Sequence, residues 1–219
     1  MGRPRLLDLF CGAGGAGMGY HRAGFDVVGV DIVDQPHYPF EFHRGDALTW
    51  PLEGFDAVHA SPPCKAHTVL RMWDIDHPDL LTSARERLRT AGLPWVIENV
   101  PGAPMRGDFM LCGSQFDLGV KRHRLFEFHE PVLVWHEPCR HDLWPGGRPV
   151  GVYGHTGGRG RRSGNHGFKM ADWEQAMGVD WMSRDELSQA IPPAYTEYIG
   201  AQLLRHLSVA ALSDEGGDG

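Results

Sequence analysis

From Asp8 to Gly19 the chain reads Asp-Leu-Phe-Cys-Gly-Ala-Gly-Gly-Ala-Gly-Met-Gly, and this run limits what the chain can fold into. It follows a strand-like apolar segment, Leu6–Phe10, and leads into a helix over Gly15–Ala23. Glycines at a strand-to-helix junction let a ligand come close to the backbone, with a helix N-terminus beyond. A second strand, Phe25–Asp31, ends in an acid about twenty residues on, where a carboxylate commonly meets the ribose hydroxyls of a nucleotide. No lysine of the triphosphate-binding kind follows the glycines, so a triphosphate ligand is not expected. Gly45-Asp46-Ala47 comes next, then a strand over Phe55–Ala60. A helix is predicted over Pro78–Thr90, with Leu80, Leu81, Ala84 and Leu88 inward and Arg85, Arg87 and Arg89 outward. Gly92 closes it, and Pro94–Asn99 forms a further strand. Strands alternating with helices predict an α/β fold with a doubly wound, mostly parallel sheet.

Composition narrows the class. Of 219 residues, 42% are hydrophobic and 22% charged, the balance of a globular chain. No apolar run is long enough to span a bilayer, and Met1–Arg5 leads directly into a strand rather than a signal sequence. An intracellular, cytoplasmic location is expected, and no membrane partner. The four cysteines, Cys11, Cys64, Cys112 and Cys139, form no close pair, so a disulfide framework is not expected. A net charge of −7 argues against a protein that coats nucleic acid, but leaves room for a local basic face.

The chain divides into a core over residues 1–129, a short insertion over 130–170, helices over 171–212 that complete the core, and a disordered tail over 213–219. The insertion is rich in Gly, His, Arg and Trp. Between Leu143 and Ala171 it holds no acid, while Arg159, Arg161, Arg162 and Lys169 suit phosphate contact. His136, Cys139, His141 and His155 have ligand-like spacing for zinc, but a second tight pair is missing and no metal is predicted. Helices are expected over Trp173–Met177, Arg184–Ala190 and Tyr195–Leu212.

Ser61-Pro62-Pro63-Cys64 follows the Phe55–Ala60 strand. Two prolines stiffen the loop, so the thiol of Cys64 can be aimed. Alone, this reads as an ordinary turn with a buried cysteine in it. Order decides otherwise: the glycine run and Asp31 are followed by Gly45-Asp46, Pro62-Pro63-Cys64, Glu98-Asn99-Val100 and Arg122-His123-Arg124-Leu125-Phe126. Together these resemble the DNA cytosine-C5 methyltransferases. Glu174–Trp181 and the segment from Ala194 to Gly200 look like the family's last two motifs.

The resemblance implies the S-adenosylmethionine-dependent methyltransferase fold and double-stranded DNA as partner. It makes Cys64 the nucleophile that adds to cytosine C6, which requires a thiolate in electropositive surroundings. It gives Glu98 the role of the acid at N3 and N4 of the ring, Arg124 that of the contact to O2, and Arg122 that of its companion. S-adenosylmethionine is the implied cofactor, held by Phe10, Gly12, Gly14, Gly15, Asp31, Ile32, Asp46 and Pro62. Lys65 stands where the family usually has Gln; beside the nucleophile it would lower the thiol pKa or meet a phosphate. The family's Gly-Asn pattern near the C-terminus is replaced by Pro192-Pro193-Ala194-Tyr195. The recognition segment is far shorter than is usual, which suggests a phage or mobile-element source and a restriction-modification setting. An RNA cytosine-C5 methyltransferase and a non-catalytic nucleic-acid-binding protein on the same fold remain open alternatives. An NAD-binding oxidoreductase would leave Pro-Pro-Cys and the two arginines unexplained.

Overall fold

A computed structural model of the chain describes residues 2–63, 79–130, 137–142, 149–152 and 168–215. Among them, seven strands form one sheet: β1 (Arg5–Leu9), β2 (Asp26–Asp31), β3 (Glu41–Arg44), β4 (Ala57–Ala60), β5 (Trp95–Asn99), β6 (Phe109–Leu111) and β7 (Arg124–Phe128), in the order β3-β2-β1-β4-β5-β7-β6. The first five in that row are parallel, and β7 runs antiparallel to both β5 and β6. The α/β, doubly wound prediction holds. The row reverses direction between β1 and β4, the place where such sheets leave a crevice at the strands' carboxyl ends.

The central strands are buried because both faces are covered, and their buried residues are apolar except for Asp8, His59, Glu98 and Asn99. Leu6 packs on one side with Tyr20, Phe25, Tyr195, Ile199 and Leu203. Leu7 and Leu9, two residues apart, pack on the other with Leu81, Leu88 and Ile97. Helices α1 (Gly15–Ala23) and α5 (Pro193–Glu215) cover the first face, and α2 (Leu80–Arg89) the second. Helices α3 (Met170–Met177) and α4 (Arg184–Gln189) enclose a third cluster, in which Trp173, Met177 and Leu187 meet Ala13 of the glycine run and Val152 of the insertion.

Two expectations are corrected. Arg85 and Arg87 do not point to solvent. Arg85 borders the buried Leu81–Leu88 stripe, and its guanidinium reaches over that edge to a bidentate pair with the buried Glu127 of β7, at 3.0 Å. Arg87 donates to the carbonyls of Ala47 and Trp50. The tail is also shorter than expected, since α5 continues through Ser213, Asp214 and Glu215; three ordinary residues cost little helix propensity, and the strong stop in the sequence is Gly216-Gly217. Within the described residues no helix is long and apolar enough to cross a membrane.

Candidate active site

Of the sequence-predicted residues that are described, those of the glycine run, Asp31, Ile32, Asp46, Pro62 and Glu98 lie at or just beyond the carboxyl ends of β1 to β5. Arg122 and Arg124 lie just before and at the start of β7, and Lys169 stands ahead of α3. Cys64, Lys65, Arg159, Arg161 and Arg162 lie outside the described residues, as do His136 and His155.

The glycine run leaves β1 with Phe10 at φ 56°, Gly12 at 50° and Gly14 at 84°. The Phe10 side chain is half-buried against the core face that holds Leu7 and Leu9. Gly12 is the open position: among described residues nothing lies within 4 Å of where a Cβ would stand. Its N–H donates to Asp31 Oδ2 at 3.0 Å, while Oδ1 accepts from Val33 N–H at 3.0 Å. Asp31 is thereby fixed in front of the loop. Beside it Ile32 is 66% exposed, an unusual setting for a large aliphatic side chain. Gly45 N–H donates to the Asp31 carbonyl at 2.9 Å, bringing Asp46 to the same end of the sheet. The Asp46 carboxylate accepts from Leu48 N–H at 2.9 Å, which forms the turn.

Gly14 and Gly15 turn inward instead. A Cβ on Gly14 would stand 2.7 Å from Pro39 Cδ, and one on Gly15 would stand 2.5 Å from the Ile191 carbonyl oxygen. The buried ring of Tyr38 fills the space left by Gly14, Gly17 and Gly29, and its hydroxyl donates to Asp8 Oδ2 at 3.1 Å. Burial pushes the Asp8 carboxyl well above the ordinary range. Outside, Trp181 Nε1 donates to the Ala13 carbonyl at 2.9 Å, so the segment after α3 braces the loop.

The other half of the site is built from side chains. Glu98, near the end of β5, lies opposite Phe126 of β7. Its Oε1 is 2.8 Å from Arg124 Nε, with both groups nearly buried, yet the alignment falls short of a hydrogen bond. Burial raises the Glu98 carboxyl pKa, against the lowering effects of Arg124, a hydrogen bond from Ser61 and Arg122. Behind Ser61 a buried relay runs inward: His59 Nε2 lies 2.8 Å from Ser61 Oγ, and His59 Nδ1 lies 3.0 Å from the Tyr20 hydroxyl. Burial alone lowers His59 to about 3, so the ring is neutral. With Ser61 donating to Glu98, the Nε2–H tautomer donates to Ser61 and Nδ1 accepts from Tyr20, which gives Tyr20, His59 and Ser61 each a partner. Asn99 Nδ2 donates to the Pro62 carbonyl at 3.0 Å, tying the Pro-Pro loop to β5.

Arg122 and Arg124 differ in use. The Arg122 guanidinium donates to the carbonyls of Val152 (3.2 Å) and Ser188 (2.8 Å), and its own carbonyl accepts from Tyr195 at 2.6 Å. It clamps the insertion and α4 to the site, whereas Arg124 faces Glu98. Lys169 is exposed ahead of α3, its N–H donating to Asp172 Oδ2 at 2.6 Å.

Over 99 residues the chain is 35% identical to the "probable DNA (cytosine-5)-methyltransferase" of Frog virus 3 (isolate Goorha). Over that stretch the chain is similar to a DNA cytosine-C5 methyltransferase. The similarity takes in 41% of this chain and 43% of the viral methyltransferase, so less than half of that relative's length is matched. No family model matches. An E. coli prophage protein named as a DNA modification methyltransferase has the same fold, with a TM-score of 0.62 at 15% identity over 94% of this chain and 99% of that one. The Dnmt2 methyltransferase of S. pombe also shares it, with a TM-score of 0.59 at 15% identity and the same coverage. Thus the seven-stranded sheet with its antiparallel β7 is a fold this chain shares with two methyltransferases. Sequence reasoning missed His59, Tyr20, Tyr38 and the tethering roles of Asn99 and Trp181. Asn99 and Ser61 sit inside the motifs that were recognised; Tyr38 and Tyr20 carry no local signal.

Proposed function

We propose that the chain methylates C5 of a cytosine flipped out of double-stranded DNA, through a covalent bond from Cys64 to C6. The observation that carries this reading is the buried Glu98–Arg124 pair beside a Pro62 carbonyl tethered by Asn99. A carboxyl whose pKa is raised by burial can hold or share a proton, and its Oε1 keeps an accepting direction free of any hydrogen bond among the described residues. This suits a pyrimidine edge that offers a ring nitrogen and an amino group.

The residues divide the work. The Cys64 thiolate adds to C6, and Glu98 stabilises the charge gathering on the ring at N3 and N4. Arg124, beside Glu98, reaches O2. When bound, S-adenosylmethionine supplies an electrophilic methyl group to C5. The C5 proton then leaves to a base, the bond from Cys64 to C6 breaks, and the aromatic ring returns. The chain's residues fit this donor: the open Gly12 admits a close approach, the Asp31 carboxylate is fixed before it, and the exposed Ile32 offers an apolar surface to a purine. Gly14, Gly15 and Pro62 shape the pocket from beneath, Phe10 and Asp46 flank it, and Arg122 holds the element bearing Arg124. Lys65, Arg159, Arg161, Arg162 and Lys169 contact phosphates.

The test is a mechanism trap. DNA and RNA carrying 5-fluorocytosine are each incubated with the full chain and S-adenosylmethionine. A covalent complex with duplex DNA, lost in Cys64→Ser, is expected. A complex with RNA alone would replace DNA as the substrate, and no complex with either would overturn the reading.

A further inference from the structure

Four side chains that are scattered through the sequence meet next to the arginine element. Cys112 follows β6, His123 stands between Arg122 and Arg124, and Cys139 and His141 belong to the insertion. One ligand atom from each lies within 4.8 Å of all the others. Cys112 Sγ is 3.4 Å from His141 Nε2, and Cys139 Sγ is 3.5 Å from His123 Nε2. In a tetrahedral zinc site with bonds of about 2.3 Å to sulfur and about 2.05 Å to nitrogen, a sulfur–nitrogen edge is about 3.6 Å. Both contacts have the length of that edge.

We propose that Cys112, His123, Cys139 and His141 form a structural zinc site. The donor set is two thiolates and two imidazoles, which selects zinc. The surroundings fit: the Ser114 hydroxyl donates to Cys112 Sγ at 3.5 Å, and Ser114 Oγ accepts from Arg140 N–H at 3.1 Å. Gln115 holds the same corner, its Oε1 accepting from Cys112 N–H at 2.6 Å and its amide donating to the Glu137 carbonyl. Hydrogen bonds of this kind orient ligands and tune thiolate charge. All four positions are filled by protein, so the ion has no place for substrate. It fastens the start of the insertion to the backbone between Arg122 and Arg124. That backbone is also held by Tyr195 and, through the Arg122 guanidinium, by Val152 and Ser188. The insertion is too short to build a core of its own, and a metal is a common means of ordering such a segment.

The proposal rests on these side chains and stands independently of whether the chain methylates cytosine. The full chain, produced with added zinc and purified under reducing conditions, is expected to carry about one zinc per molecule by elemental analysis. X-ray absorption at the zinc edge is expected to show two sulfur and two nitrogen neighbours, at about 2.3 and 2.05 Å. Stripping the ion with a chelator lowers the Tm by about 5 °C or more, and zinc restores it. Cys139→Ser and His141→Ala each lose the ion, while His43→Ala keeps it. Because a variant could fail to fold, the absorption spectrum of the unaltered protein decides. Zinc below about a tenth per chain that cannot be titrated in, a shell of oxygen and nitrogen alone, or a Cys112–Cys139 disulfide in its place would each overturn the proposal.

Discussion

Around Gly12 the site is made of backbone and is open, while around Glu98 it is made of buried side chains and is closed. The first half rests on three residues at positive φ, Phe10, Gly12 and Gly14, and on one carboxylate that accepts from two backbone N–H groups. The second half takes its shape from Glu98, Arg124, Ser61, His59, Tyr20 and Asn99, which come from four separate segments. An open backbone cradle suits a ligand common to many enzymes of this fold. A closed network of charges suits one kind of base, and its burial raises the pKa of a carboxyl.

The largest expected effect breaks the closed half. Glu98→Gln is expected to lower methyl transfer about 10²–10⁴-fold, measured with a labelled donor. It should not lower stability at neutral pH. Burial raises the Glu98 pKa in the folded state, so its favourable contribution is full below the ordinary glutamate range and fades as pH rises through the folded value. The variant therefore gains on the wild type as pH rises, and thermal melts at several pH values check this. A variant less stable at pH 8 than at pH 5, relative to wild type, would contradict it.

A pair of substitutions then separates packing from openness. Gly29→Ala places a Cβ 2.3 Å from Tyr38 Cζ and is expected to cost about 3 kcal/mol in urea unfolding. Gly12→Ala meets only backbone strain, about 1–2 kcal/mol, yet weakens donor binding about tenfold or more in calorimetry. Equal effects on stability would erase the distinction drawn between the inward and the open glycines.

Asn99→Ala leaves the Pro62 carbonyl without its partner and is expected to cost about 2 kcal/mol, with a larger fall in kcat than change in KM. At neutral pH the smallest effect comes from the relay, which shows only on acidification. The native state excludes a proton from His59 down to a pH of about 3, whereas the unfolded chain takes one up below about 6.5. Stability is thus lost as pH falls through that window, at about 1.4 kcal/mol per pH unit. His59→Gln should flatten the slope by that amount in chemical denaturation.

Much of the open half was legible because its parts are contiguous. A strand, glycines and a helix written in one run leave little choice of geometry, and Asp31 at the end of the next strand falls beside them through parallel register. The helices α1, α3 and α4 were found within a few residues for the same reason. Where the outcome depended on distant partners, the sequence was silent. Strand β3 has no alternation to betray it, β6 is three residues long, and β7 was taken for a motif alone. Arg85 read as a surface charge because its partner Glu127 lies 42 positions away. The zinc pattern was sought in sequence spacing; Cys139 and His141 of the four residues considered belong to the cluster, His136 and His155 lie outside the described residues, and the other members are Cys112, which follows β6, and His123 of the arginine element.

Tyr38 gives the glycine run a further meaning. Its ring occupies the volume that side chains at Gly14, Gly17 and Gly29 would need, and its hydroxyl is bound to Asp8 beneath them. These five positions therefore form one unit of inheritance. A lineage that drifts to a smaller residue at 38 relieves Gly29, while Gly14 is still barred by Pro39 and its positive φ and Gly17 by Asp8; a lineage that keeps the tyrosine can change none of them singly.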